Sequence, residues 1–311
     1  GHAGAIYMVG KNCMIANCNF ENYHSQNGAG TIYWGAINGI VDNCNFTNCF
    51  IRDNDGLIEG EGGAIYWAST LNGTISNCNF DNCYARAAGA ISWSGGGSTY
   101  WDGSSWIPVS GTLFNCNFTN CFAKMEHDQF VSNVVGCAGA ILWKNQYGNI
   151  SDCNFINCSA DRSGGAILIR TSGDANVDNC NFVDCSAGAV GGAICFDDYG
   201  SFYVNGGNFT NCHTNENGGA IRGTNKLNVH NSDFTNCSAN GTYGGGAISD
   251  GYAVNCTFIN NSATGITWGG GALSDCSAAN CTFIDNYANM NGGAICTGSA
   301  VNSTFINNHA N

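Results

Sequence analysis

Two short phrases alternate through the whole chain, and that alternation limits the fold more than any other feature. The first reads Gly-Gly-Ala-Ile, as at Gly63-Ala64-Ile65, Gly165-Ala166-Ile167, Gly192-Ala193-Ile194 and Gly219-Ala220-Ile221. It occurs eleven times when Gly30-Thr31-Ile32 and Gly271-Ala272-Leu273 are included. The second, Cys-Asn-Phe-Thr-Asn-Cys in its fullest form, centres on a phenylalanine, again eleven times: Phe20, Phe46, Phe80, Phe118, Phe155, Phe182, Phe209, Phe234, Phe258, Phe283 and Phe305. One structural unit has been copied along 311 residues. A unit this short cannot bury an apolar face alone, so copies must stack like on like.

Within a unit the period is two. Around Phe46, Cys44 and Phe46 share one face, Asn48 marks a corner, and Cys49 faces inward again. Short strands, Gly and Asn corners and a basic repeat of 22 to 27 residues describe one coil of a parallel β-helix. The predicted class is all-β, a single solenoid domain over residues 1–311 with about eleven coils, roughly 50 Å long at the strand spacing of a sheet. Three inserts, near 50–61, 94–109 and 122–137, lengthen the repeat without breaking it. The second carries Tyr100, Trp101 and Trp106 and is expected to form a loop rich in side chains.

The pairing of Gly-Gly-Ala-Ile with Phe-Ile-Asn-Asn, as at Phe258-Ile259-Asn260-Asn261 and Phe305-Ile306-Asn307-Asn308, resembles the repeats of chlamydial polymorphic outer-membrane proteins. The Asn/Cys-rich form is similar to adhesin-like surface proteins of methanogenic archaea. This resemblance implies a right-handed parallel β-helix at the cell surface with an adhesive role, and it lends no catalytic residues. The chain departs from the bacterial pattern by placing Cys where Asn is expected in seven repeats.

Charge excludes some functions. The net charge is −13 with nine Lys and Arg spread over the length, which is unsuited to phosphate backbones, so no nucleic-acid partner is expected. No apolar run approaches 18 residues, hence no membrane span is expected. Charged residues make up only 10%, so the surface must be built from Asn, Ser, Thr and Gly. That composition suits an extracellular or cell-surface setting. The chain opens inside a repeat at Gly1-His2-Ala3-Gly4, as a piece excised from something longer would.

Side chains recur in columns. Cys44, Cys49, Cys78 and Cys83 belong to two series, one two residues before the phenylalanine and starting at Cys18, the other three residues after it and starting at Cys49. Partners within a coil come and go independently, as small core residues would, so free buried thiols are expected over a disulfide framework, and cross-coil disulfides are the alternative. A metal or Fe–S role is not expected, and no cofactor is called for. Phe46, Phe80, Phe118, Phe155 and Phe182 form a core ladder, and Trp34, Trp67, Trp93 and Trp143 are read as a buried aromatic stack, with an exposed platform for sugar rings as the alternative. Asparagines at Asn17, Asn43, Asn77 and Asn22, Asn48, Asn82 are expected to stack by their amides. Among many glycosylation sequons, Asn72 and Asn240 lie in Asn-Gly-Thr turns and are favoured.

Chemistry leaves few candidates. Asp197 with Asp198 is one possible carboxylate pair, and the first insert, with Asp53, Asp55, Glu59 and Glu61 beside Arg52, is another and a weak Ca²⁺ candidate. Acidic loops are more often solvated, so no catalysis is expected, with a polysaccharide lyase or hydrolase as the minor alternative. The two chain ends are cut in phase: joining tail to head restores the ten-residue spacing between phenylalanine and the next Gly-Ala-Ile. The expected partner is therefore the protein itself, as a head-to-tail homopolymer. The alternative is an adhesin stalk binding a cell-surface glycan or protein.

Overall fold

A computed structural model describes residues 3–311 apart from 27, 36, 53–59, 69–71, 96–98, 102–103, 109, 126–134 and 266. Its backbone winds as a parallel β-helix with three sheets along its length. The phenylalanines occupy one sheet of eleven strands, from Asn19–Glu21 to Thr304–Ile306. A second eleven-stranded sheet is made of two-residue strands, from His24–Ser25 to His309–Ala310. The third and broadest sheet takes two strands from most coils, such as Ile32–Trp34 and Ile40–Asp42.

Every coil pairs in register with the next, placing identical residues on one another: Phe46 on Phe80, Ile32 on Ile65, Trp67 on Trp93. The Gly-Ala-Ile phrase makes this approach possible. A Cβ on Gly63 would overlap the carbonyl oxygen of Gly89 one coil away, so only glycine lets the backbones stack there. Asparagine sets the corners. Asn43, Asn48, Asn77 and Asn82 all hold φ between 50° and 54°, the left-handed region that Asn tolerates better than other side chains. Their amides also stack as expected: Asn43 Nδ2 donates to Asn17 Oδ1 at 2.7 Å and Asn82 Nδ2 to Asn48 Oδ1 at 2.7 Å.

The core is a set of columns. Phe46 and Phe80 stack with centroids 4.8 Å apart and planes 2° from parallel, and the phenylalanine stack runs on to Phe305. Trp34, Trp67, Trp93 and Trp143 form a second stack at 4.6 to 4.8 Å. All four tryptophans have 0% exposure, which removes the exposed sugar platform. Each buried ring contributes about 1.5–3 kcal/mol over its exposed state.

One sequence expectation needs correction. Gly223, Asp250, Asp275 and Thr297 replace the aromatic of the Trp column, and the spacing predicts that the strand ends earlier there. In two coils the reverse happens. Ile248–Val254 and Leu273–Ala279 are unbroken strands of seven residues. Asp250 and Asp275 take φ of 61° and 52°, which turns the chain in place and carries it into the next strand without a separate loop. Of the inserts, the second contains an antiparallel hairpin pairing Thr99–Trp101 with Trp106–Pro108; much of the first and third lies outside the described residues.

Candidate functional site

A few charged side chains of this sparsely charged protein pair with one another beside the outward residues of the broad sheet. Alternation sends the middle residue of each Gly-Ala-Ile strand outward: Tyr33, Tyr66, Ser92, Leu142, Leu168, Cys195 and then Arg222 in successive coils. Leu142, Leu168 and Cys195 are nevertheless buried, packed with Ala87, Ala88, Cys137 and Ala138 into a small apolar cluster outside the main core. Beside it runs a second column, Ser94, Lys144, Arg170 and Asp197, whose backbone amides each bond to the preceding coil.

The charges pair along the axis. Lys144 Nζ lies 2.9 Å from Glu61 Oε2, which also accepts from Ser92 Oγ at 2.8 Å and Ser94 Oγ at 3.2 Å. Arg170 Nε is 3.6 Å from Asp197 Oδ2, and Arg222 Nη1 is 2.6 Å from Asp250 Oδ2. Burial pushes the Asp250 carboxyl above its ordinary range, Arg222 pulls against this, and Asp275 adds to it. Burial, then the nearby Glu61 carboxylate, likewise raises the Tyr66 hydroxyl.

Between these pairs opens a cavity of about 630 Å³, lined by Arg170, Val190, Asp197, Asp198, Asn217 and Arg222 among others, with Tyr199 at its rim. Its size falls within the range of about 300–1,000 Å³ typical of ligand sites. Tyr199 is 84% exposed; its backbone N–H donates to Asp198 Oδ1 at 2.8 Å, and its carbonyl accepts from Lys226 Nζ at 2.7 Å. Asn217 Oδ1 is buried without a hydrogen-bond partner.

The sequence had singled out Asp197 and Asp198 but not their basic neighbours, although a signal existed. Lys144, Arg170 and Asp197 each stand five residues after the glycine of Gly-Ala-Ile in three successive repeats. Arg222, three residues after its glycine, comes from a different phase of the repeat. Of the first-insert candidates, Asp53, Asp55 and Glu59 lie outside the described residues, and Glu61 is engaged by Lys144. Among the described residues no group of three or more His, Cys, Asp or Glu is placed to hold a metal ion. Asn72 and Asn240 are both exposed. Asn72 Oδ1 accepts from Ser110 Oγ at 2.9 Å, and Asn240 Oδ1 accepts from Thr264 Oγ1.

The cysteine columns do more than fill space. All twenty cysteines are free thiols. Cys83 Sγ lies 3.6 Å from Phe46 O, and Cys121 Sγ 3.6 Å from Phe80 O, each reaching back to the preceding coil. In the last three coils the same position is Asn261, Asn286 and Asn308. Their Nδ2 atoms donate to the equivalent carbonyls of Phe234, Phe258 and Phe283 at 2.9 to 3.0 Å. Asn261 Oδ1 in turn accepts the Cys237 N–H at 2.9 Å. In the other column Cys78 Sγ accepts the Cys44 N–H at 3.4 Å, and Ser232 Oγ accepts the Gly207 N–H at 3.0 Å. Cys, Ser and Asn alternate here because each is a short side chain with both a donor and an acceptor. Burial, then hydrogen bonds with the neighbouring thiols, push Cys83, Cys158 and Cys212 well above the ordinary thiol range, and against the same burial the hydrogen bonds those thiols give hold Cys121 and Cys185, between them in the same column, below it.

A family model described as a right-handed β-helix region matches residues 138–310. Comparison with curated proteins found no match, and comparison with solved structures found none.

Proposed function

Because the chain belongs to the right-handed β-helix family, we propose that it is a non-catalytic, extracellular structural and adhesive rod that lengthens by end-on stacking of its coils on a second copy. One observation carries this reading: each coil stacks in register on the next, like residue on like, so any coil offers the edge that another coil of the same kind would pair with. Open parallel edges are templates for further pairing. In the register that holds throughout, Phe305 of one copy would lie on Phe20 of the next, Asn302 on Asn17, Asn307 on Asn22 and His309 on His24. A heterologous contact that does not close on itself generates a filament.

Two further observations support the non-catalytic part of the reading. The carboxylates Glu61, Asp197 and Asp250 are held in ion pairs, and one outward column, Asn19–Asn45–Asn79–Asn117, is a ladder of exposed amides. Electron microscopy of the purified chain tests the proposal. Continuous filaments that are lost when Phe305 is changed to Asp support it, and isolated short rods at all concentrations refute it.

A further inference from the structure

The groove between Arg170 and Arg222 has the composition of a ligand site that stacking of coils does not use, and we propose that it binds a neutral, hydroxyl-rich saccharide chain. This rests on the adhesive half of the reading above and gives it a place and a ligand class. Two cations, Arg170 and Arg222, and two carboxylates, Asp197 and Asp198, line the groove, with Arg170 paired to Asp197 and Arg222 to Asp250 just outside the lining, so it holds donors and acceptors side by side with balanced charge.

Balanced charge selects against ions. An anionic ligand drawn to Arg170 or Arg222 meets Asp197 or Asp250 behind it, and a cationic one meets the guanidinium; either must break an ion pair to form its own. A neutral hydroxyl meets no such conflict, since it donates to a carboxylate with its proton and accepts from a guanidinium with its lone pairs. Adjacent hydroxyls on a sugar ring can do both across one Arg–Asp pair and leave it intact.

Two details fit the same ligand. Asn217 Oδ1, buried at the cavity wall without a donor, is an unmet acceptor of the kind that costs about 1–3 kcal/mol, and a ligand hydroxyl supplies the donor it lacks. Tyr199, 84% exposed at the rim and anchored through its backbone to Asp198 and Lys226, offers a flat apolar face to a sugar ring. The cavity lies along the coil axis, so an extended chain can run on over Lys144, Ser94 and Tyr66 without leaving the face.

The test measures retention of the full chain on immobilised glucan, mannan, galactan and xylan, with polygalacturonate and chitosan as charged comparators, at low and high salt. Binding is read on dispersed rods, so failure of filament formation leaves it interpretable. The expected result is retention on at least one neutral polysaccharide, nearly insensitive to salt, with a loss of tenfold or more in both Tyr199→Ala and Asp198→Ala while melting is unchanged. Both side chains lie on the surface, so neither change threatens the coil. Retention on none of the neutral polysaccharides overturns the proposal. So does salt-sensitive preference for a charged comparator, or equal binding by the parent and both variants.

Discussion

Replacing Cys237 separates hydrogen bonding from simple packing in the thiol columns. Cys237 Sγ sits 3.6 Å from Phe209 O and 3.7 Å from Thr235 O, and its coil adjoins the one where the column turns to Asn261. Cys237→Ala removes a buried sulfur and leaves the Phe209 carbonyl without that donor, a cost of about 2–3 kcal/mol. Cys237→Asn extends the amide ladder by one step: Nδ2 replaces the thiol as donor to Phe209 O, and Oδ1 faces the Cys212 N–H. Two amide bonds at about 1 kcal/mol each offset a similar strain from the larger side chain, so Asn is expected within about 1 kcal/mol of the parent. Cys237→Asp, once ionised, has no donor for the Phe209 carbonyl and is expected to be worse than Ala, increasingly so as pH rises and the buried carboxyl is driven to ionise. Stacked repeats do not melt all-or-none, so the assay is hydrogen exchange of amides in the coils around Ser238, with guanidinium melts alongside. If Asn destabilises as much as Ala, the column is only a space to be filled and the donor–acceptor account is wrong.

Four further outcomes are open to measurement. Phe155→Ala, in the middle of the phenylalanine stack, should cost about 3–5 kcal/mol and lower exchange protection in its own and adjacent coils. Gly165→Ala puts a methyl against the Gly192 and Ser186 carbonyls and should cost about 3 kcal/mol or more, read as a lowered melting temperature. Hydrogen bonds from Ser76 Oγ and Asn77 Nδ2, each 2.7 Å, hold the Asp42 carboxyl below its ordinary value of 3.8. The native state therefore binds this proton less readily than the unfolded chain, and its contribution is full above about pH 4 and is lost as pH falls through the lowered value. Asp42→Asn should accordingly lower the melting temperature at pH 6 and make little difference near pH 2. Thiol titration of the denatured protein should find close to twenty free sulfhydryls, and a value near zero would replace the thiol columns with disulfides.

The fold was legible because it is written as a period: inward Phe, Cys and Ile and corner Asn recur where the coil demands them, and eleven repetitions average out local ambiguity. What escaped were features with a different logic. The outward column Asn19, Asn45, Asn79, Asn117 and the ring stack His24, Phe50, Tyr84, Phe122 face solvent, where the alternation says only that a position is outward. The merging of strands at Asp250 and Asp275 depends on a left-handed residue keeping the chain in the sheet, which a change from Trp to Asp does not announce. The charged groove was hardest to see, because its Lys144–Arg170–Asp197 column and its Arg222 come from different phases of the repeat and meet only when the sheet is built.

In-register stacking at the Gly-Ala-Ile seam gives one coil almost the same neighbours as any other. Excising residues 156–182, one whole repeat, would join Phe155 to Val183 and set Phe209 directly on Phe155, with Asn208 on Asn154 and Cys212 still on Cys185, each pair like those it replaces. The number of coils is thus a nearly free quantity, able to change by whole units through recombination between repeats with little new strain at the joint. Length becomes an inheritable trait that selection can tune separately from the surface each coil displays.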